Sequence, residues 1–241
     1  MIGVYDYTVI LTYLSVISGV SGIMVCLNGV GHPFYGTFFL LLSGLCDTFD
    51  GRVARSKRGR TDRQKSFGVQ IDSLADLISF GVLPPCIGLG MVRTSDRLTT
   101  VPNLHVDQPG EKRVIYPLFL IMIIMVYVLA ALIRLAYFNV LEEEKKKLAS
   151  PAMSGYIGLP VTSAALIFPT VMLFQFLTKA DLTLLYFGVM LLTSLLFVSR
   201  IKVPKPNLRV IILLIGIGAV EFVAFVLIKY YLHIQNIIVQ F

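Results

Sequence analysis

Long hydrophobic runs separated by polar segments make up most of the chain. A helix rises about 1.5 Å per residue, so about 20 apolar residues cross the roughly 30 Å hydrocarbon core of a membrane. Seven runs have this character. The pattern predicts an all-α, polytopic transmembrane helical bundle with seven spans, at residues 8–28, 33–55, 68–92, 114–138, 158–177, 182–199 and 208–232.

The composition supports the same class of protein. Hydrophobic residues make up 56% of the 241, above the roughly 45–50% of soluble domains, and the mean hydropathy is +0.80. The first 27 residues carry no basic start and no small-residue cleavage site, which favours a retained first span over a signal peptide. Cys26, Cys46 and Cys86 all stand in apolar segments, where we expect small packing residues rather than disulfides or a metal cluster.

Basic residues give the chain a net charge of +7 and are unevenly distributed. They are concentrated around the segment 56–67 and around two later polar segments, near residues 145–147 and 200–209. The positive-inside rule therefore places the 56–67 loop and the N-terminus in the cytoplasm. The charge is explained by topology and by anionic lipid headgroups, and we expect no nucleic-acid partner.

Four aspartates interrupt the second and third predicted spans. A charge at the bilayer centre costs about 2.5–3.5 kcal/mol on insertion scales, so four such residues call for a shared explanation. Asp47 and Asp50 are three residues apart, and Asp72 and Asp76 are four apart, so each pair lies on one helix face. Because the two spans are consecutive and antiparallel, the pairs lie at the same depth near the cytoplasmic side and can face each other.

Converging carboxylates repel one another unless cations lie between them. Oxygen ligands in this number suit Mg²⁺ or Mn²⁺, whereas zinc would call for histidine or paired cysteines. Two such metals can hold a diphosphate and neutralise its leaving group. Gly51, Ala54 and Gly68 are small residues on the same faces and leave room for a nucleotide, although small residues also favour helix packing. Arg55 can complement a phosphate at the mouth of the site.

An ion or proton pathway in a transporter is the alternative explanation of the aspartates. Such pathways typically carry one or two acids at the membrane midplane, beside broken helices. Here the acids lie toward one surface and basic residues follow them, which favours an enzyme acting on a lipid headgroup. Elsewhere, His105 alone is a weak metal signal, and the acid–base run at 142–147 predicts a solvated helical extension rather than a binding site.

Residues 47–76 resemble the signature of the CDP-alcohol phosphotransferases. That signature is D-x2-D-G-x2-A-R followed by G-x3-D-x3-D, and here it reads "DTFDGRVAR" and "GVQIDSLAD", with all eight positions filled. One departure is the gap between Arg55 and Gly68, which holds twelve residues, "SKRGRTDRQKSF", where the family usually has eight. The contacts of this longer linker are therefore not implied by the resemblance.

Several short stretches resemble the phosphatidylserine synthase branch of that family. They are "DSLADLISFGVLPP" at 72–85, "ALIRLAYFNV" at 131–140, "GYIGLP" at 155–160 and "SRIKVPKP" at 199–206. The resemblance covers about residues 8–206. It predicts a catalytic membrane domain with a six-span family core in residues 1–206, and an additional C-terminal transmembrane helix and tail in residues 207–241.

The resemblance implies a transfer of the phosphatidyl group from CDP-diacylglycerol to the hydroxyl of L-serine, with release of CMP. The implied partners are these two substrates, membrane lipids and a second copy of the chain in a homodimer. Asp76 would be the general base. The implied metal ligands, for two Mg²⁺ or Mn²⁺ ions, are Asp47, Asp50, Asp72 and Asp76, and the implied CDP-diacylglycerol pocket is Asp50, Gly51, Ala54, Arg55 and Gly68.

The serine carboxylate also needs a cation near the site. We expect Arg134 in this role, with Tyr137 and Asn139 as secondary candidates and Arg200 and Lys202 as weaker ones. Because no Ser, Cys or His beside the acids stands out as a nucleophile, we expect direct in-line attack without a covalent enzyme intermediate. The alternatives are another acceptor, such as glycerol 3-phosphate or inositol phosphate, or an archaeal-type lipid donor.

Overall fold

The computed structural model describes residues 3, 7–28, 32–57, 59–95, 118–148, 156–178, 180–203 and 208–239. These residues are almost entirely helical, apart from one short pair of strands. The helices are α1 Ile10–Leu27, α2 Pro33–Ser56, α3 Asp62–Asp76, a π-helical segment Leu77–Val82, α4 Leu83–Thr94, α5 Leu118–Leu148, a 3₁₀ turn Val161–Ser163, α6 Ala164–Thr178, α7 Thr183–Val198 and α8 Leu208–Val239; the strands are β1 Tyr156–Ile157 and β2 Lys202–Val203, which pair antiparallel.

The predicted fold class is confirmed, because each of the seven predicted spans corresponds to a helix or a continuous helical rod. Four rods are long and apolar enough to cross a membrane: Ile10–Leu27, Asp62–Thr94, Leu118–Glu144 and Val161–Thr178. The apolar parts of α7 and α8 are shorter and cover Thr183–Val198 and Leu213–Leu227. Helix α2 carries its polar residues in its C-terminal half, where the aspartates lie. The first four residues of the predicted fourth span, and His105, lie outside the described residues.

Local sequence signals explain where the two site helices begin. The side chain of His32 accepts a hydrogen bond from the backbone N–H of Phe34, and Pro33 takes the first position of α2, where a missing N–H costs nothing. Thr61 and Gln64 form a reciprocal capping box at the start of α3. Helix α5 continues through residues 142–147, as the acid–base spacing there predicts.

The third rod changes from α to π geometry directly after Asp76. Pro84 and Pro85 have no N–H to donate to the carbonyl of Phe80, and this carbonyl accepts a hydrogen bond of 2.8 Å from the hydroxyl of Tyr127 on α5. Tyr127 is fully buried and packs edge-on against Phe168 of α6. The aromatic core therefore fixes the irregular turn beside the acidic residues.

Helices α1 and α2 make the most extensive contact in the bundle. Ser15 and Ser43 bridge them, since the hydroxyl of Ser43 donates to the carbonyl of Ser15 at 3.1 Å, and the hydroxyl of Ser79 donates to the same carbonyl at 3.1 Å. Gly19 allows Ser79 to approach, because a Cβ at Gly19 would lie 2.7 Å from its Oγ. Small polar residues thus let α1, α2 and the π-helical segment pack closely, as is common in membranes.

All three cysteines are free in the structure. Cys26 and Cys86 are buried in the hydrophobic core, and Cys46 is half-buried on α2 one residue before Asp47. They act as small packing residues.

Candidate active site

Helices α2 and α3 form an antiparallel hairpin that brings the acidic residues of the two motifs together. One carboxylate oxygen from each of Asp47, Asp50 and Asp72 lies within 4.8 Å of the others. Asp50 is buried, and the other two are half-buried. The motif faces of the second and third spans therefore meet, as the helical spacing predicts.

Asp76 lies one turn deeper on α3 than Asp72, at the junction with the π-helical segment. It is 9% exposed and close enough to Asp47 and Asp72 for their charges to interact. The structure therefore places all four aspartates in one region, with three forming the tightest group.

The cluster has few cations to balance it among the described residues. Arg55 lies one turn along α2 and attracts Asp50, and its guanidinium is 3.3 Å from where a Cβ on Gly51 would be. One exposed arginine does not neutralise four clustered carboxylates, and buried like charges are costly without compensation. Closely spaced carboxylate oxygens are the ligands that Mg²⁺ and Mn²⁺ prefer, so this donor set fits a divalent cation.

Helix α1 supplies a support that the motif does not include. The hydroxyl of Thr12 donates a hydrogen bond of 3.1 Å to Oδ2 of Asp50, and both residues are buried. Thr12 belongs to a stripe of polar residues on α1, with Ser15 and Ser18, that recurs every three residues and is buried in the bundle. That stripe is the sequence signal by which this contact could have been found, because polar residues on one face of a span usually meet a partner.

The three candidates for the serine site have different surroundings. Asn139 on α5 accepts a hydrogen bond of 3.1 Å from the hydroxyl of Ser73, the residue after Asp72, and so contacts the motif helix directly. Arg134 is buried, its guanidinium lies 5.3 Å from the ring centre of Phe138, and its Nε is 3.5 Å from where a Cβ on Gly158 would be. Tyr137 is 49% exposed on the outer surface of α5.

The Gly and Ala positions of the motif lie next to arginine side chains. The backbone carbonyl of Ala54 accepts a hydrogen bond from Arg60, and a Cβ on Gly68 would lie 2.8 Å from Nη2 of the same arginine. Arg60 stands in the longer linker, outside the motif residues. Ala54 and Gly68 therefore leave room for the side chain of Arg60 at the linker end of the hairpin.

A cavity of about 450 Å³ lies between α2, α6 and α8 and reaches the acidic cluster. Asp47 and Thr48 line one part of it, and most other lining residues are apolar, among them Leu41, Leu166 and Phe222. The site thus joins a group of carboxylates to an apolar space within the bundle.

The fold and the site together define the class of protein: a helical membrane protein with a buried acidic site at the ends of two of its spans. Within that class, a family model described as CDP-alcohol phosphatidyltransferase matches residues 8–222, and the chain belongs to this family. The match covers the four aspartates, the small motif residues and the helices that surround them.

Several relatives are similar to the chain over most of this region. It is 35% identical over 167 residues to the CDP-diacylglycerol–serine O-phosphatidyltransferase of Saccharomyces cerevisiae, covering 64% of the chain and 50% of the yeast protein. It is 29% identical over 196 residues to the archaetidylserine synthase of Methanothermobacter thermautotrophicus, covering 81% and 68%. It is 27% identical over 212 residues to the CDP-diacylglycerol–serine O-phosphatidyltransferase of Helicobacter pylori, covering 84% and 76%. The chain spans about half the length of the yeast relative.

Proposed function

We propose that the protein transfers the phosphatidyl group from CDP-diacylglycerol to the hydroxyl of L-serine, giving phosphatidylserine and CMP. The observation that carries this proposal is the convergence of the motif aspartates in a member of the CDP-alcohol phosphatidyltransferase family. The names of the yeast and Helicobacter relatives support serine as the acceptor. Family membership favours this enzyme over a cation or proton transporter.

The acidic cluster would hold divalent metal, and we expect two Mg²⁺ or Mn²⁺ ions. Asp47, Asp50 and Asp72 have oxygens close enough to share a cation, and Asp76 is beside them. Bound there, the metals would stabilise negative charge on the diphosphate and on the departing CMP. Thr12 would orient Asp50 by holding one of its oxygens, which leaves the other for a metal.

Asp76 would act as the general base. A serine hydroxyl is a weak nucleophile at neutral pH and needs a positioned proton acceptor. As the serine Oγ–P bond forms, the P–O bond to CMP breaks, the hydroxyl proton passes to Asp76, and CMP leaves as the phosphate monoester. The attack is direct and in line, so trapping a phosphatidyl-enzyme would contradict this mechanism.

Donor and acceptor would approach the aspartates from different elements. Asp50, Gly51, Ala54, Arg55 and Gly68 would line the pocket for the CDP part of the donor, where the small residues leave room. The acceptor side would lie toward α5, because Ser73 and Asn139 join α5 to the motif helix.

Arg134 would bind the serine carboxylate, with Asn139 and Tyr137 in secondary roles. Burial of the guanidinium near Gly158 supports a role in the bundle interior rather than at its lipid-facing surface. We expect Arg134→Ala to raise the KM for serine at least about tenfold, since charge-assisted hydrogen bonds contribute about 1.5–3 kcal/mol. The KM for the donor is the internal control, and an unchanged KM for serine would remove this assignment.

Topology and assembly complete the proposal. We expect the linker end of the α2–α3 hairpin and the N-terminus to face the cytoplasm, because basic residues are concentrated there. We also expect a homodimer, with residues 1–206 forming the catalytic membrane domain and residues 207–241 an additional helix and tail.

The archaetidylserine synthase relative supports a second candidate, the same transfer from an archaeal-type lipid donor. Acceptor and donor can be tested together by measuring CMP release from the purified full chain, with and without Mn²⁺ or Mg²⁺. We expect release from CDP-diacylglycerol with serine, and none with glycerol 3-phosphate or inositol phosphate. Release with an inositol phosphate but not with serine would change the acceptor, and preference for CDP-archaeol would change the donor.

A further inference from the structure

Arg60 ties the two motif helices together from within the longer linker. Its Nη1 donates to the carbonyl of Ala54 near the end of α2, and its Nη2 donates to the carbonyl of Gln64 in the first turn of α3, each at 3.2 Å. Gly59 has a φ of +78°, in the left-handed region that favours glycine, and so allows the chain to turn back toward the helices. The half-buried guanidinium therefore lies between the ends of α2 and α3.

The same guanidinium borders the proposed donor pocket. It contacts the backbone at Ala54 and fills the space next to Gly68, where an added Cβ would lie 2.8 Å from Nη2. Both positions belong to the motif that would line the CDP pocket. Arg60 itself is outside the motif, in the linker that is longer than the family's usual one.

The charge of Arg60 has no acidic partner among the residues that the structure describes. Its hydrogen bonds go to two backbone carbonyls, and its Nε–H is buried without an acceptor in that part of the chain. A buried cationic N–H without an acceptor costs free energy, and a phosphate oxygen is the acceptor that guanidinium groups bind best. This arrangement is suited to an anion entering the pocket.

The position of the apolar cavity indicates which part of the donor would reach Arg60. Leu41 and Gly44 line the cavity and precede Asp47 on α2, whereas Ala54 follows Asp50 on the same helix. In a lipid donor with acyl chains in the cavity and its diphosphate at the aspartates, the phosphate that belongs to CMP would therefore lie on the linker side of the diphosphate. Gly68 lies four residues before Asp72, which is about 6 Å along the helix axis.

We propose that Arg60 binds the phosphate of the CMP moiety and so holds the leaving group of the donor. This inference rests on the proposed function, because it assumes a CDP-linked lipid as the donor. A purely structural role would be to join α2 to α3 through the two carbonyls. The two roles differ in their dependence on charge, since glutamine keeps N–H donors for a carbonyl but carries no charge.

The test compares Arg60→Gln with Arg63→Gln, which removes the same charge from an exposed position on α3. We expect Arg60→Gln to raise the donor KM and the inhibition constant of CMP about tenfold or more, with the KM for serine unchanged. Arg63→Gln should match the wild-type protein in all three constants. Unchanged inhibition by CMP in Arg60→Gln, or equal rises in both KM values together with a lower melting temperature, would overturn the proposal.

A measurement on the wild-type chain does not depend on how a variant folds. Phenylglyoxal modifies arginines, and mass spectrometry reports the modification at each one. We expect saturating CMP to slow modification of Arg60 but not of Arg63, and equal rates with and without CMP would contradict the assignment. Calorimetric titration with CMP separates this proposal from the proposed function, because it needs no acceptor. If CMP binding depends on Arg60 in a protein that is inactive with serine, the role of Arg60 is supported and serine is rejected as the acceptor.

Discussion

Replacing Thr12 by valine would remove the hydrogen bond that holds one oxygen of Asp50 while leaving the shape of the side chain nearly unchanged. The bond is 3.1 Å long and both partners are buried, so water does not readily replace the lost donor. Hydrogen bonds to charged groups contribute about 1.5–3 kcal/mol. Loss of a residue that orients a metal ligand typically weakens metal affinity about 10–100-fold, which agrees with that free energy at about 1.4 kcal/mol per factor of ten.

The assay is CMP release by the purified full chain as a function of Mn²⁺ concentration, with both substrates saturating. We expect the half-activating Mn²⁺ concentration of Thr12→Val to be at least about tenfold higher than that of the wild-type protein. Thr37→Val is the matched control, because Thr37 is equally buried but donates to the carbonyl of Pro33 within α2. If Thr12→Val and Thr37→Val have the same Mn²⁺ dependence as the wild type, the reasoning that Thr12 orients a metal ligand is refuted.

Two further predictions concern the general base and the packing of α1 against α2. Asp76→Asn should lower kcat by at least about 100-fold, because the proton acceptor is lost; near-normal turnover would exclude Asp76 as the base. Gly36→Ala should destabilise the fold by about 1–3 kcal/mol, because the added Cβ would collide with the side chain of Cys26. Thermal unfolding measures this loss of stability, with Gly216→Ala as the control, because a Cβ at Gly216 meets nothing within 4 Å among the described residues. Equal melting temperatures of the two variants would contradict the prediction.

The fold and the acidic cluster could be predicted from the sequence for physical reasons. A membrane requires spans of similar length, so hydropathy alone indicates the number of rods. A short connection makes α2 and α3 antiparallel, and helical periodicity then gives the faces that meet. The convergence of Asp47, Asp50 and Asp72 follows from these two constraints.

Contacts made by residues outside the motif could not be predicted in the same way. The bond from Thr12 to Asp50 depends on how α1 packs against α2, and the contacts of Arg60 depend on the path of a linker longer than the family's usual one. The π-helical segment after Asp76 precedes Pro84 and Pro85, which lack the N–H groups that would pair with the carbonyls of Phe80 and Gly81, but the hydrogen bond from Tyr127 to Phe80 depends on tertiary packing. Periodicity indicates which residues share a face, whereas these features depend on what that face meets.

The central claim is that serine receives the phosphatidyl group at the acidic cluster. Its most direct test incubates the purified full chain with CDP-diacylglycerol, isotopically labelled L-serine and Mn²⁺, and measures CMP and labelled lipid in the same samples. We predict equimolar CMP and labelled phosphatidylserine, both abolished when Asp47 is replaced by asparagine. CMP release without labelled lipid, or labelled lipid that persists in Asp47→Asn, would contradict the account.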